Sequence, residues 1–293
     1  MIVDQPHQTG CKYLVIGASG LLGGHLMAEL SRSTSVRGTY HRRSVPGCLS
    51  CDLAEPNAVR TALRAASADV IIHVGGMTRP DDCETNRAAA SRVNVEGMRS
   101  LIDYAEDAKM IFFSTDYVFD GARGGYGEDD QPSPINHYGR TKLAAERLLL
   151  DNRPDSLVVR VSGLFGTRTW YEEFMGSFGR ENELRASAQH SSSHTYIYDI
   201  SRHLPSLLGM SGVVHFVGPS VYSRAEFASV VVRSLSITAE VVAVTGDAAY
   251  RTTPRPRDSS LLSSRLTLPM TSVPTGLSEL KQTLAATSTA RFP

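Results

Sequence analysis

Four apolar runs, each too short for a helix and too continuous for a half-exposed strand, constrain this chain more than anything else in it. They are "KYLVIG" (Lys12 to Gly17), "DVIIHVGG" (Asp69 to Gly76), "KMIFFST" (Lys109 to Thr115) and "SLVVRVS" (Ser156 to Ser162). "VRGTYH" (Val36 to His41) reads as a further strand between the first two. Helical stretches separate them: Leu21 to Leu30, about 57–66, about 84–106, and one carrying "INHYGRTKLAAERL" (Ile135 to Leu148). Strands that are apolar on both faces and alternate with helices predict an α/β fold. The expected form is a doubly wound parallel sheet of the Rossmann type, covered on both sides.

Composition removes several function classes. The 293 residues give ample length for a large core, in one domain or one domain with an elaboration. Thirty basic and thirty acidic side chains cancel, which argues against bulk binding to nucleic acid or an anionic membrane. No apolar stretch approaches the roughly 20 residues of a membrane span. The start, "MIVDQPHQTGC", lacks the pattern of a signal peptide and reads as a short disordered lead-in, so a cytoplasmic protein is expected. Cys48 and Cys51 form a CxxC with no second pair at zinc spacing, so thiols in packing roles and no metal are expected.

The first strand runs into "GASGLLG", with Gly17, Gly20 and Gly23 ahead of a helix. A tight turn and close backbone approach are what a pyrophosphate at a helix N-terminus needs, so Gly17, Ser19, Gly20, Leu21 and Leu22 are candidate cofactor contacts. An NAD site usually ends its second strand with a carboxylate for the ribose 2′-hydroxyl. Here the strand ends His41, Arg42, Arg43, and guanidinium groups suit a 2′-phosphate. NADP(H) is favoured and NAD(H) stays open, because the arginines also read as solvated loop residues. Downstream, Asp52 and Leu53 could meet the adenine, and Gly75 and Gly76 at the end of "HVGG" would let a cofactor pass.

Tyr138 and Lys142 stand four residues apart, on one face of the predicted helix. A phenol of pKa ~10 is a poor acid at neutral pH, and a nearby ammonium would stabilise the phenolate. Thr115 falls at the carboxyl end of its strand, the edge at which open parallel sheets bind ligands.

With these pieces in order, the chain resembles an extended short-chain dehydrogenase/reductase, and more narrowly the dTDP-4-dehydrorhamnose reductase group. The matching segments are "GASGLLG", "VNVEGMRSLIDYA", "FFSTDYVFDG", "YGEDDQPSPINHYGRTKLAAE", "VVRVSGLFG" and "RPRDSSLLSSRL". The resemblance implies Thr115, Tyr138 and Lys142 as the catalytic set of an NADPH-dependent reductase of a nucleotide-linked 4-keto-6-deoxy sugar. It also implies substrate contacts at Thr78, Asp116 and Tyr117, at Trp170 in a covering loop, and at Arg255 toward a diphosphate. Residues 11–168 are expected to form the dinucleotide-binding part, its sheet completed by about 194–217. Residues 169–193 and 218–293 are expected to form a smaller, interleaved substrate part. In that reading "HTYIYDI" and "GVVHFVG" both rejoin the sheet.

One departure concerns the sugar pocket. Rhamnose-forming reductases often carry a Trp after the fifth strand, where this chain has Gly163. Other members of the superfamily stay in view. An epimerase usually has an acidic end to its second strand, and a dehydratase tends to read "TDE" where this chain reads "TDYVFD". The regulatory subunit of methionine adenosyltransferase shares "YVFDG" and "YGxTK", binds NADP and serves another protein. A homodimer through helices on the sheet's face is also open.

Overall fold

In the computed structural model, which describes residues 11–179, 182–245 and 253–289, the apolar runs become one parallel sheet. The lead-in at 1–10 lies outside the described residues. The first part runs β1 (Lys12–Ile16), α1 (Leu21–Leu30), β2 (Ser35–Tyr40), β3 (Leu49–Ser50), α2 (Pro56–Ala66) and β4 (Val70–His73). Three helical pieces follow, α3 (Pro80–Thr85), α4 (Arg87–Ser91) and α5 (Gly97–Tyr104), then β5 (Lys109–Thr115), α6 (His137–Asn152) and β6 (Leu157–Val161). The rest comprises β7 (Leu164–Phe165), α7 (Arg168–Met175), β8 (Glu183–Ser187), β9 (Ser191–Ser193) and β10 (Thr195–Tyr196). It continues with α8 (Ile197–Leu208), β11 (Gly212–His215), β12 (Val221–Ser223), α9 (Arg224–Leu235), β13 (Glu240–Val244) and α10 (Val273–Thr289).

The sheet is ordered β3-β2-β1-β4-β5-β6-β11, and every neighbouring pair is parallel. The order reverses between β1 and β4, which opens a crevice at the carboxyl ends of these strands. Alternation along each strand fills both faces. Tyr13, Val15, Ile72, Ile111, Phe113 and Val159 pack under α1 and α8, while Leu14, Ile16, Ile71, Met110, Phe112 and Val158 pack under α2, α5 and α6. A separate cluster of Phe165, Trp170, Tyr196, Val231, Val273, Leu277 and Leu280 joins α7, α9 and α10. Among the described residues no helix is long and apolar enough to cross a membrane.

Three details differ from the sequence-based expectation. "GVVHFVG" does enter the sheet, as edge strand β11, but "HTYIYDI" does not. Only Thr195 and Tyr196 are extended, paired with Leu164 and Phe165 in a separate two-stranded ladder, and the remainder is α8. Its apolar residues Ile197, Ile200, Leu204 and Leu207 have helical spacing and bury against the sheet. Next, the helix expected over 84–106 is broken into α3, α4 and α5, with a wider π turn at Arg92–Glu96. That turn carries the buried Asn94, whose side chain accepts from the Met77 N–H and donates to the Met77 carbonyl and the Thr141 hydroxyl. The third difference is the two-residue strand β3, too short to leave a pattern.

Candidate active site

The glycine turn sits at the crevice between β1 and β4. Gly17 has φ +95°, and a Cβ placed there would come 2.6 Å from the Gly75 Cα, so the two glycines let strand ends meet without side chains. Thr39 fixes the turn: its hydroxyl accepts from the Gly17 N–H at 3.1 Å and its carbonyl from the Ala18 N–H at 2.8 Å. Helix α1 starts after Gly20 with no side-chain cap, which leaves its first-turn N–H groups for a ligand anion. The exposed Arg43 donates to the Ser19 carbonyl, bringing the end of β2 to this turn, while Arg42 beside it is exposed. His41 and Asp52 pair at 3.3 Å on the same side. Leu22 and Leu53 are core residues, whereas Leu21 is half-buried and Gly76 is exposed. A side-chain-free cradle at an uncapped helix start, flanked by two arginines, fits a dinucleotide phosphate.

Thr115, Tyr138 and Lys142 converge at the carboxyl end of β5. Tyr138 lies in the first turn of α6, whose start is capped twice. The Asn136 side chain accepts from the Gly139 N–H at 2.9 Å, and Glu84 accepts from the His137 N–H at 2.9 Å. Gly139 lets this turn press on the Tyr117 backbone, since a Cβ there would lie 2.0 Å from the Tyr117 carbonyl oxygen. The Thr115 hydroxyl donates to Asp116 at 3.1 Å, accepts from the Tyr117 N–H and lies beside the Tyr138 phenol.

Burial governs the charge of this centre. It pushes the Tyr138 phenol well above its ordinary range, opposed by the Thr115 hydrogen bond. It pushes the Lys142 ammonium down to about 7, opposed by the carboxylate of Glu146. Lys142 donates to the Phe113 carbonyl at 2.8 Å and lies 4.0 Å over the Phe112 ring. Behind it, Glu146 receives the Arg160 guanidinium through bonds of 2.7, 3.1 and 3.2 Å, and the Ser114 hydroxyl as well. Arg160 in turn meets His215 Nε2 at 3.4 Å, and Glu128 accepts the His215 N–H and the N–H and hydroxyl of Ser264.

His73, at the end of β4, faces Lys142 across the same ring. It stacks on Phe112 at 5.1 Å, and its buried Nδ1 has no hydrogen-bond partner among the described residues. Burial, helped by the Lys142 charge, pushes its pKa down to about 3. The folded state therefore holds a neutral imidazole that the unfolded chain protonates below ~6.5. This contribution to stability is complete above pH ~6.5 and is lost as pH falls toward 3, at about 1.4 kcal/mol per pH unit. His73→Phe keeps the stack and removes the titration. Urea unfolding between pH 6 and 4 should give it a slope shallower than wild type by about that amount, and equal slopes would refute the assignment.

The four remaining substrate candidates and Arg255 separate clearly. Thr78 is exposed on the loop after β4. Tyr117 sits in a 3-10 turn with its ring edge-on to Tyr138, centroids 5.8 Å apart. Asp116 is buried, and its carboxylate accepts from Thr115, Ser162 and Ser259, with burial raising its pKa. Trp170 is 9% exposed on α7, stacked on Phe174 at 5.5 Å and edge-on to Phe165 and Phe227. Most of its ring is used in packing, because α7 docks onto the smaller core. Arg255 pairs with Asp81 at 2.9 Å and donates to the Thr253 carbonyl. Gly163 has φ +51°, and a Cβ there would come 2.9 Å from the His194 ring, which occupies the space beside it. Several residues that sequence reasoning missed lie behind this surface: Asn94, Asn136, Glu146, Ser162 and Ser259. Asn136 alone left a readable signal, an N-cap residue just before a helical pattern.

With this geometry in place, the comparisons are informative. A family model described as RmlD substrate binding domain matches residues 11–288. The crystal structure of dTDP-4-dehydrorhamnose reductase from Bacillus anthracis in complex with NADP superposes with a TM-score of 0.83, at 26% identity, covering 92% of this chain and 98% of that one. A hypothetical dTDP-4-dehydrorhamnose reductase from Sulfolobus tokodaii gives a TM-score of 0.78 at 31% identity, covering 87% and 93%. Methionine adenosyltransferase 2 subunit beta of Danio rerio is 30% identical over 280 residues, 90% of this chain and 87% of that protein. The chain belongs to the RmlD substrate-binding-domain family, within the extended short-chain dehydrogenase/reductases.

Proposed function

We propose that the protein is an NADP(H)-dependent oxidoreductase that reduces the keto group of a nucleotide-linked sugar, a dTDP-4-keto-6-deoxyhexose being the first substrate to test. One observation carries the reading: Thr115, Tyr138 and Lys142 are buried together at the end of β5, at the sheet edge that also holds the glycine turn. The bound nicotinamide would supply the hydride. Tyr138, kept protonated by burial, delivers its proton to the oxygen of the substrate carbonyl. The Thr115 hydroxyl can then turn from Asp116 and donate to the phenolate, which adds to the support from the Lys142 charge. The NADP complex of the B. anthracis relative supports the cofactor. Gly17, Ser19, Gly20 and the arginines at the end of β2 would hold its phosphates. The separate core formed by α7, α9 and α10 supports assigning 169–193 and 218–293 to the substrate side and 11–168 to the cofactor side.

The direct test is incubation with NADPH and a panel of dTDP-4-keto sugars, followed by loss of NADPH absorbance and product mass. A second measurement concerns Arg42 and Arg43. If they receive the 2′-phosphate, replacing both with Ala should weaken NADPH binding by several-fold to ~100-fold and leave NADH binding unchanged. Fluorescence titration checks this, and equal losses for both cofactors would give the arginines a structural role only.

The similarity to methionine adenosyltransferase 2 subunit beta supports a second reading, an NADP-binding subunit that serves another protein. Tight NADPH binding with no turnover of any keto sugar and no binding of dTDP or UDP would favour it.

A further inference from the structure

Arg255 is engaged by Asp81 and largely buried, with its side chain 7% exposed. A different guanidinium reaches the catalytic edge. Arg224 is the first residue of α9, after Ser223, which closes a capping box with Glu226. Its backbone N–H donates to the His190 carbonyl at 3.1 Å, so the base of the side chain is fixed, while the side chain is exposed. From there its Nη2 donates to the Tyr117 hydroxyl at 3.0 Å, joining residues 107 apart in sequence. Tyr117 is the ring that lies edge-on to Tyr138. A cation carried by α9 is thus held one aromatic ring away from the phenol that would deliver the proton.

The neighbouring residue His194 gives an independent sign of a ligand site. Its ring is 6% exposed, stacked on Phe227 at 3.9 Å, and its Nδ1 has no hydrogen-bond partner among the described residues. Burial pushes its pKa down to about 4, and the Arg224 charge adds to that fall, so the imidazole is neutral. A neutral imidazole within electrostatic reach of a planar cation suits a phosphate with a nucleoside attached.

We infer that Arg224 anchors the diphosphate of the substrate, exchanging its bond to the neutral Tyr117 hydroxyl for one to an ionised phosphate oxygen. The exchange is favourable because it replaces a neutral acceptor by an ionised one, and a guanidinium fork matches two phosphate oxygens. It also releases the Tyr117 hydroxyl to the sugar, beside Tyr138. This assignment rests on the nucleotide-sugar reading above.

Calorimetric titration of the NADP-saturated protein with dTDP, and separately with thymidine, tests it. Arg224→Ala should weaken dTDP about tenfold or more, Arg224→Lys should recover part of the loss, and neither should alter thymidine or NADP binding. Unchanged NADP binding also certifies that the variant is folded. If wild type binds dTDP and Arg224→Ala binds it equally well, Arg224 is not the anchor and the nucleotide-sugar reading stands. Equal weakening of dTDP and thymidine also overturns the assignment, because thymidine has no diphosphate to lose. If wild type binds neither dTDP nor UDP, the nucleotide-sugar reading itself falls and this assignment falls with it.

Discussion

Tyr138→Phe should lower turnover ~10²-fold or more while NADPH affinity stays within about twofold of wild type. The substitution removes one oxygen and keeps the ring. That ring is 9% exposed and packs edge-on to Tyr117 in a small cluster with Cys83 and Ala90, so the local fold has no reason to change. What disappears is the proton donor. The developing alkoxide would then draw its proton from water, while the Thr115 hydroxyl keeps its bonds to Asp116 and the Tyr117 N–H. A fall in kcat with an unchanged cofactor Kd is the signature of a group that acts in the transition state. Near-normal turnover would remove Tyr138 from the mechanism.

The parts of this molecule that could be read from its sequence are those governed by repeating physical patterns. Apolar strands such as "DVIIHVGG" announce a sheet buried on both faces, and β4 is fully buried. The spacing of Tyr138 and Lys142 puts them on one helical face, and both are buried in α6 beside β5. What escaped depends on contacts between distant residues. The π turn exists because Asn94 reaches Met77 and Thr141, and nothing within "SRVNVEGM" requires that. Arg255 stands in a segment matched by resemblance and Trp170 just beyond one, but their partners Asp81 and Phe227 are set by docking of elements far apart in the chain. In "HTYIYDI" two-residue alternation and helical spacing coexist, and packing of Ile197, Ile200 and Leu204 on the sheet decided for a helix.

The second large effect belongs to the ion pair behind the catalytic lysine. Glu146 is 2% exposed and Arg160 is 4% exposed, and three nitrogen–oxygen contacts join them. Lys142 stands one helical turn before Glu146 and is also buried, so one carboxylate serves two buried cations. Glu146→Gln removes that charge and leaves Arg160 without compensation in a low-dielectric core. Breaking a buried pair from one side costs about 3–5 kcal/mol, and a loss of this size in urea unfolding is the expected result. Replacing both members with apolar residues of similar volume, Glu146→Leu with Arg160→Met, should recover much of it, because no unpaired guanidinium remains. The double variant would still lack the charge that helps keep Lys142 protonated. Its stability should therefore return while the pH at which reduction fails moves down, since Glu146 is the largest influence that raises the Lys142 pKa. A Glu146→Gln protein within about 1 kcal/mol of wild type would mean that His215 and the Phe119 ring suffice to hold Arg160.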